Sequence, residues 1–171
     1  MRRPLLFSAA AVAAVGLFVT GLGLGATGST ATKLTAKLGA RHETPASKGA
    51  ARATGVFTAT LSGRSLTWRL SFSGLTGKAL AAHIHLGKPG VAGPVAVPLC
   101  GPCASGAYGK VTVTAKVRTA LLGGGAYVNV HTARNAAGEI RGQVTGGKAI
   151  PTAQASTPGT TTSDGGYGGY G

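Results

Sequence analysis

Histidines and one cysteine pair are the residues of this sequence whose spacing could support chemistry. His83 and His85 alternate with Ile84 in an apolar run, and residues i and i+2 of a strand point to the same face. His131 follows a similar run, with Asn129 on the same side. Three neutral imidazoles suit Cu²⁺ or Zn²⁺ and leave one coordination position open. The pattern therefore predicts a mononuclear Cu or Zn site at His83, His85 and His131, with ring nitrogens that converge.

A polar network without metal is the alternative interpretation of the same face. Glu139 and Arg141 alternate with Ile140 in a third run, so they can join Asn129 beside the histidines. In that arrangement Glu139 and Asn129 would orient the imidazoles and hold the strands together. His42 lies beside Glu43 in a polar segment, and we expect it to be exposed to solvent.

The cysteine motif Cys100-Gly-Pro-Cys103 has the same letters as a thioredoxin active site. A redox-active dithiol would lie at a helix N-terminus, where its thiolate is stabilised. The residues after Cys103 are rich in small side chains and do not form a helical pattern. In an exported protein such a pair predicts a structural disulfide that stiffens a turn, with thiol oxidoreductase as the alternative.

Acidic residues are scarce, since 3 Asp and Glu stand against 17 Lys and Arg. The acids are Glu43, Glu139 and Asp164, so catalysis by paired carboxylates or by a Ser-His-Asp triad is not expected. The positive excess favours anionic partners such as cell-envelope polymers, or extracellular proteins, although a solvated basic surface is the simpler interpretation. Scattered bases without an aromatic ladder or a helix-turn-helix pattern argue against specific nucleic-acid binding.

The first 31 residues have the layout of a secretory signal peptide. A basic start at Met1–Arg3 precedes an uncharged apolar stretch from Leu5 to Ala26, and small residues suit cleavage near 26–31. A retained membrane anchor is the alternative. We expect cleavage, an extracellular or envelope-associated protein, and no remaining transmembrane span.

Residues 32–146 are predicted to form one all-β domain. About eight short alternating runs are separated by glycine-rich turns, which predicts an antiparallel Greek-key β-sandwich or barrel. The runs centre on residues 34–38, 57–61, 66–72, 82–86, 95–99, 111–115, 127–131 and 140–144. A short helix is expected at 116–122, a long loop at 40–53 and a core position at Trp68. Residues 147–171, rich in Gly, Thr and Ser, are predicted to be a disordered tail.

Two segments resemble the CHRD domain, the module named after chordin. One runs from Ala82 to Leu99 and includes His-Ile-His and Gly-Pro-Val. The other runs from Ala126 to Gln143 and includes Tyr-Val-Asn-Val-His-Thr and Gly-Glu-Ile-Arg-Gly-Gln. The pieces follow the order of the family, and with the strand at 66–75 the resemblance covers about residues 33–145.

The resemblance implies an immunoglobulin-like or superoxide-dismutase-like sandwich and a secreted protein of the microbial single-domain kind. It implies no defined activity. The His-x-His strand is also similar to the metal-bearing strand of copper-zinc superoxide dismutases, but the loop after Leu86 lacks their His/Asp cluster, so dismutase activity is not expected. The favoured function is a non-enzymatic extracellular binding or structural module, with a mononuclear Cu- or Zn-binding protein as the alternative.

Overall fold

The computed structural model describes residues 30–150, and side chains over residues 30–146. Residues 1–29 of the predicted signal peptide, 1–31, and the chain after Ile150 lie outside these residues. The strands are β1 (Ala31–Gly39), β2 (Thr54–Ser62), β3 (Ser65–Ser73), β4 (Ala79–Leu86), β5 (Val95–Cys100), β6 (Ala107–Thr112), β7 (Ala126–Thr132), β8 (Ile140–Gln143) and β9 (Thr145–Ile150). A single 3₁₀ turn spans Ala40–His42, and helix α1 spans Ala115–Leu122.

All strand pairs of the described sheet are antiparallel, in the order β5-β4-β7-β8-β1-β2-β3-β6. Strand β9 pairs with β1 beside β8. One half of the sheet is therefore β5-β4-β7-β8, the other is β1-β2-β3-β6, and β1 joins them. This confirms the predicted all-β antiparallel sandwich or barrel.

The core forms between the two halves because each strand turns its apolar positions inward. Leu34, Ala36 and Leu38 of β1 are buried while the residues between them are exposed. The same alternation holds in β2 and β3, whereas β7 and β8 are buried on both faces apart from the half-buried His131 and Gln143. The largest fully buried apolar side chains are Phe57, Leu66, Leu70, Ile84, Leu121, Val113, Val128, Val130, Ile140 and Val144. Trp68 is 6% exposed, which confirms its predicted core position.

Strand β6 differs from its prediction. It occupies Ala107–Thr112 and not residues 111–115. The Thr114 hydroxyl accepts a hydrogen bond from the Val117 amide at 3.2 Å, so this residue caps α1 and ends the extended segment. The helix itself lies where it was expected.

Strand β9 was not expected from the sequence. Its Gly146 and Gly147 favour a loop, yet the segment pairs with β1 from Ala31↔Ile150 to Thr35↔Thr145. The strand therefore extends four residues, 147–150, into the segment predicted as a tail. Within the described residues, no helix has the length and apolar character needed to cross a membrane.

Candidate metal site

Strands β4 and β7 are paired, and this pairing brings the histidines together. His83 lies opposite Asn129, and Ala81 lies opposite His131. Because the strands are antiparallel, His83, His85 and His131 project from the same face, with Ile84 turned into the core. The parity predicted for these side chains is confirmed.

The three imidazoles form a compact cluster. His83 Nδ1 lies 3.1 Å from His131 Nε2. One ring nitrogen from each of His83, His85 and His131 lies within 4.8 Å of the others. Four ligands around a tetrahedral zinc ion, with bonds of about 2.0–2.1 Å, are separated by about 3.3 Å. One pair already meets that spacing, and the set needs only a modest contraction to hold an ion.

Backbone carbonyls determine which nitrogen of two of these rings is free. His85 Nδ1 lies 2.9 Å from the Gly93 carbonyl and His131 Nδ1 lies 3.0 Å from the Ala136 carbonyl. A carbonyl can only accept, so each Nδ1 carries the proton and each Nε2 keeps its lone pair. This tautomer leaves Nε2 available to a metal ion, and such outer contacts hold the ring in place.

His85 Nε2 is buried and has no hydrogen-bond partner. Burying a polar nitrogen without a partner is unfavourable, so such an atom requires an explanation. The ring is held rigidly because it stacks on Tyr127, with centroids 4.9 Å apart and planes inclined by 14°. His83 and His131 are only partly buried, so the cluster can be reached from solvent.

The environment keeps all three imidazoles neutral. Burial lowers the pKa of His83, and the neighbouring His131 and His85 lower it further. Burial also lowers the pKa of His85 and of His131, against the opposing effect of their carbonyl hydrogen bonds. Neutral imidazole is the form that binds a metal ion.

A loop of residues 87–94 covers this face, and Arg141 anchors it. The Arg141 Nη2 donates to the carbonyls of Lys88 at 3.1 Å and Val91 at 2.7 Å. Its guanidinium lies 3.4 Å above the Tyr127 ring centroid. The Tyr127 hydroxyl also contacts Gly93, accepting from its amide at 3.0 Å. The loop therefore presents the carbonyl that fixes His85.

Glu43 is a second buried group on this face that sequence reasoning missed, having placed it in a loop. It is 8% exposed, and its Oε1 has no hydrogen-bond partner. The Asn129 amide contacts its other oxygen at 3.5 Å, while Asn129 Oδ1 is also unpartnered. Burial raises the pKa of Glu43 to about 7, although the charge of Arg141 lowers it. The only sequence signal that could have drawn attention to Glu43 is that acidic residues are rare in this chain.

Glu139 does not contact the histidines. It is fully buried and accepts hydrogen bonds from the Thr76 amide and hydroxyl, the Thr132 hydroxyl and the Asn135 amide. Burial raises the pKa of Glu139, but these donors outweigh it and the pKa is lowered overall. The carboxylate ties the segment before β4 to the turn after β7.

Two features of the predicted polar face are therefore corrected. Asn129, Glu139 and Arg141 are buried, at 3%, 0% and 2% exposure, because loops cover a face that was expected to be solvated. The imidazoles are oriented by the carbonyls of Gly93 and Ala136 rather than by Asn129 and Glu139. His42 is exposed as expected, with its Nδ1 3.1 Å from the Arg141 carbonyl.

The two cysteines lie apart from the histidines, at the end of β5. Their sulfur atoms are 2.16 Å apart, which is disulfide-bonding distance. The Cys103 amide donates to the Ala79 carbonyl at 3.0 Å, so the turn is attached to the start of β4. No helix begins at this motif; α1 starts at Ala115. The cysteines are at disulfide-bonding distance as expected, and a structural role for the bond stays a prediction.

The sequence profile of the CHRD domain matches residues 34–144. The chain belongs to the CHRD domain family. The match begins within β1 and ends after β8, so it includes both histidine-bearing strands and the covering loops. Searches of curated proteins and of solved structures found no match. The CHRD domain is therefore the unit that builds the histidine cluster, and its chemistry must be argued from the residues themselves.

Proposed function

We propose that this CHRD-domain protein is an exported, non-enzymatic binding protein whose His83, His85 and His131 hold one Cu²⁺ or Zn²⁺ ion. The observation that carries the metal assignment is the buried, unpartnered Nε2 of His85, on a ring whose centroid lies 5.7 Å from that of His83 and 5.8 Å from that of His131. A bound ion would give that lone pair the partner it lacks. The export assignment is supported by the signal-like residues 1–31.

The three rings differ in whether their present tautomer leaves a nitrogen lone pair free to bind an ion. His85 and His131 have their Nδ1 protons donated to carbonyls, so their Nε2 atoms are free to ligate. His131 Nε2 can then only accept the 3.1 Å hydrogen bond, so His83 Nδ1 donates it. An ion would replace that proton, and His83 would take the other tautomer. Binding therefore requires one proton rearrangement and little movement.

Of the two ions, we expect Cu²⁺ to bind this site more tightly than Zn²⁺. Imidazole sites bind Cu²⁺ more tightly than Zn²⁺ at equal geometry, and which ion is held depends on supply. Three protein ligands leave a fourth position for water or another ligand. Both described carboxylates are buried and apart from the imidazoles, which supports binding over acid-base catalysis.

Calorimetric titration of the metal-stripped full chain with CuSO₄ and with ZnSO₄ tests the assignment. We expect one ion per chain, and a loss of about 10- to 100-fold or more in affinity for His83→Ala, His85→Ala and His131→Ala. His42→Ala is the matched control, since His42 is exposed and outside the cluster. Circular dichroism would establish that each variant folds.

The titration separates the metal site from the metal-free network. Equal heats for the native chain and the triple His83, His85 and His131 alanine variant would contradict the proposal. The polar cluster would then be a structural network alone. A nitrogen hyperfine pattern in the electron paramagnetic resonance of the Cu²⁺-loaded protein, lost in His85→Ala, would be the positive signature.

A further inference from the structure

The outer face of β1-β2-β3-β6 carries an ordered pattern of side chains. Strand pairing aligns Lys33, Thr60, Thr67 and Lys110 in one row across the four strands. The neighbouring row is Thr35, Thr58, Arg69 and Tyr108. All of these side chains are exposed, and Tyr108 has 76% of its surface accessible.

Seven of these eight residues line a shallow groove of about 680 Å³, and Lys110 continues the first row beside Thr67. That volume lies within the range of about 300–1,000 Å³ found for ligand sites. The groove crosses four strands, so it is about 14 Å wide at the usual strand spacing. The surface is therefore large enough for several units of a chain polymer, and it is open at its ends.

The charge of this face is uncompensated. The carboxylates among the described residues are Glu43 and Glu139, and both are buried on the other half of the sheet. Lys33, Arg69 and Lys110 therefore face solvent with no acidic neighbour among residues 30–146, and together they attract an anionic chain. The arginine lies 5.6 Å from the Tyr108 ring centroid, which holds that ring beside the bases.

We propose that this groove binds an acidic polysaccharide. Lysines at the two ends of one row suit carboxylate or sulfate groups, and the threonine hydroxyls between them suit sugar hydroxyls. The flat ring of Tyr108 offers an apolar surface to a pyranose ring. Single-stranded nucleic acid would need successive aromatic platforms, and this groove exposes one ring, Tyr108, because Trp68 is buried.

The inference specifies the ligand class of the binding protein proposed above, but it is independent of the metal. The groove lies on the β1-β2-β3-β6 half of the sheet, whereas the histidines lie on β4 and β7. Binding measured in the presence of a chelator therefore tests the groove alone. Metal titration tests the histidine cluster alone, so the failure of one is distinguishable from the failure of the other.

The test compares dextran sulfate with neutral dextran, which share a backbone and differ in charge, using the full chain. We expect binding to dextran sulfate, with affinity reduced about tenfold or more in the groove variant Lys33→Gln, Arg69→Gln, Lys110→Gln. The matched control is Lys48→Gln, Arg52→Gln, Lys78→Gln, which removes three exposed charges outside the groove. The control should change affinity by less than about twofold.

Three results would overturn the proposal. Equal weakening of the groove and control variants would show that binding follows net charge and not this site. Absence of binding to dextran sulfate would exclude an acidic polysaccharide directly. Tighter binding of poly(U) RNA than of dextran sulfate would assign the groove to nucleic acid. Tyr108→Ala, which keeps every charge, should weaken dextran sulfate binding and leave binding to linear polyphosphate unchanged.

Discussion

His85, Glu43 and Asn129 each bury a polar atom that has no hydrogen-bond partner. All three lie on the same face of the β5-β4-β7-β8 half of the fold, beneath the covering loops. Most buried polar atoms in proteins are satisfied, so the concentration of three unpartnered atoms here requires an explanation. For His85 the missing partner is a metal ion in our proposal. For Glu43, burial raises the pKa to about 7, so the carboxyl group is protonated and uncharged below that pH.

Substitution of Glu43 by Gln tests whether the buried carboxyl group is protonated. Folding raises the Glu43 pKa from 4.5 to about 7, so as the pH rises the unfolded chain ionises first. The stability that Glu43 contributes is present below its unfolded pKa and is lost as the pH rises through about 7. Glu43→Gln, which cannot ionise, should raise the free energy of unfolding by about 3 kcal/mol near pH 8 and change it little near pH 4. Urea unfolding at several pH values measures this.

Glu139→Gln is the matched comparison with the opposite sign. The pKa of Glu139 is lowered, so its contribution is present above its unfolded pKa and is lost as the pH falls. The cost of Glu139→Gln should therefore be larger near pH 7 than near pH 3. Parallel pH profiles for the two variants would contradict the assigned shifts.

At the scale of elements, the loop 87–94 joins the fold to the candidate site. Arg141 and Gln143 of β8 hold it through the carbonyls of Lys88, Val91 and Gly87. The loop in turn presents the Gly93 carbonyl to His85. Strand β8 therefore supports a histidine on β4 although the two strands are not neighbours in the sheet.

Gly93→Ala should disturb this loop. A Cβ at Gly93 would lie 1.6 Å from the Leu86 carbonyl oxygen, so the backbone must move. We expect a loss of roughly 2–3 kcal/mol in the free energy of unfolding and weaker metal binding, because His85 loses its acceptor. Gly77→Ala is the control, since a Cβ there meets nothing within 4 Å. Unchanged metal affinity in a folded Gly93→Ala protein would contradict the role given to the loop.

In this interpretation the Cys100–Cys103 turn contributes to stability and has no redox role. A disulfide that closes so short a loop is expected to contribute about 2 kcal/mol by restricting the unfolded chain. Cys100→Ser, Cys103→Ser should lower the free energy of unfolding by that amount and leave metal affinity unchanged. Denaturant unfolding and calorimetry measure the two quantities. Robust reduction of insulin by the native protein would instead favour a redox role.

At the scale of the whole molecule, the proposed metal site depends on the fold. Its ligands come from two strands separated by more than forty residues, 83–85 and 131, so the unfolded chain does not hold them together. An ion that binds only the folded state stabilises it by about 2.7 kcal/mol at a free concentration of 100 times Kd.

Saturating Zn²⁺ should therefore raise the Tm of the native chain by several degrees. The shift should disappear in His131→Ala and persist in His42→Ala. Differential scanning calorimetry with and without a chelator checks this. Identical Tm values in both conditions for the native protein would contradict coupling between folding and metal.

Much of the architecture was predictable because it depends on local patterns. The alternation around Leu66–Phe72 determined which side of β3 is buried, and that around Ile84 placed His83 and His85 on one face. The helix from Ala115 to Leu122 was expected, but its Thr114 cap shortened the preceding strand. The CHRD motifs identified the family, and the matched profile confirms it.

The sequence by itself determined the strand parity, the all-β class, the family and the candidate ligands His83, His85 and His131. Tertiary structure alone decided that the polar face is covered, that Arg141 anchors the covering loop and that Glu43 is buried beside Asn129. It also decided that Lys33 and Lys110 share a row and that β9 pairs with β1. The physical reason is that parity is a property of neighbouring residues, whereas coverage and register depend on segments distant in the chain.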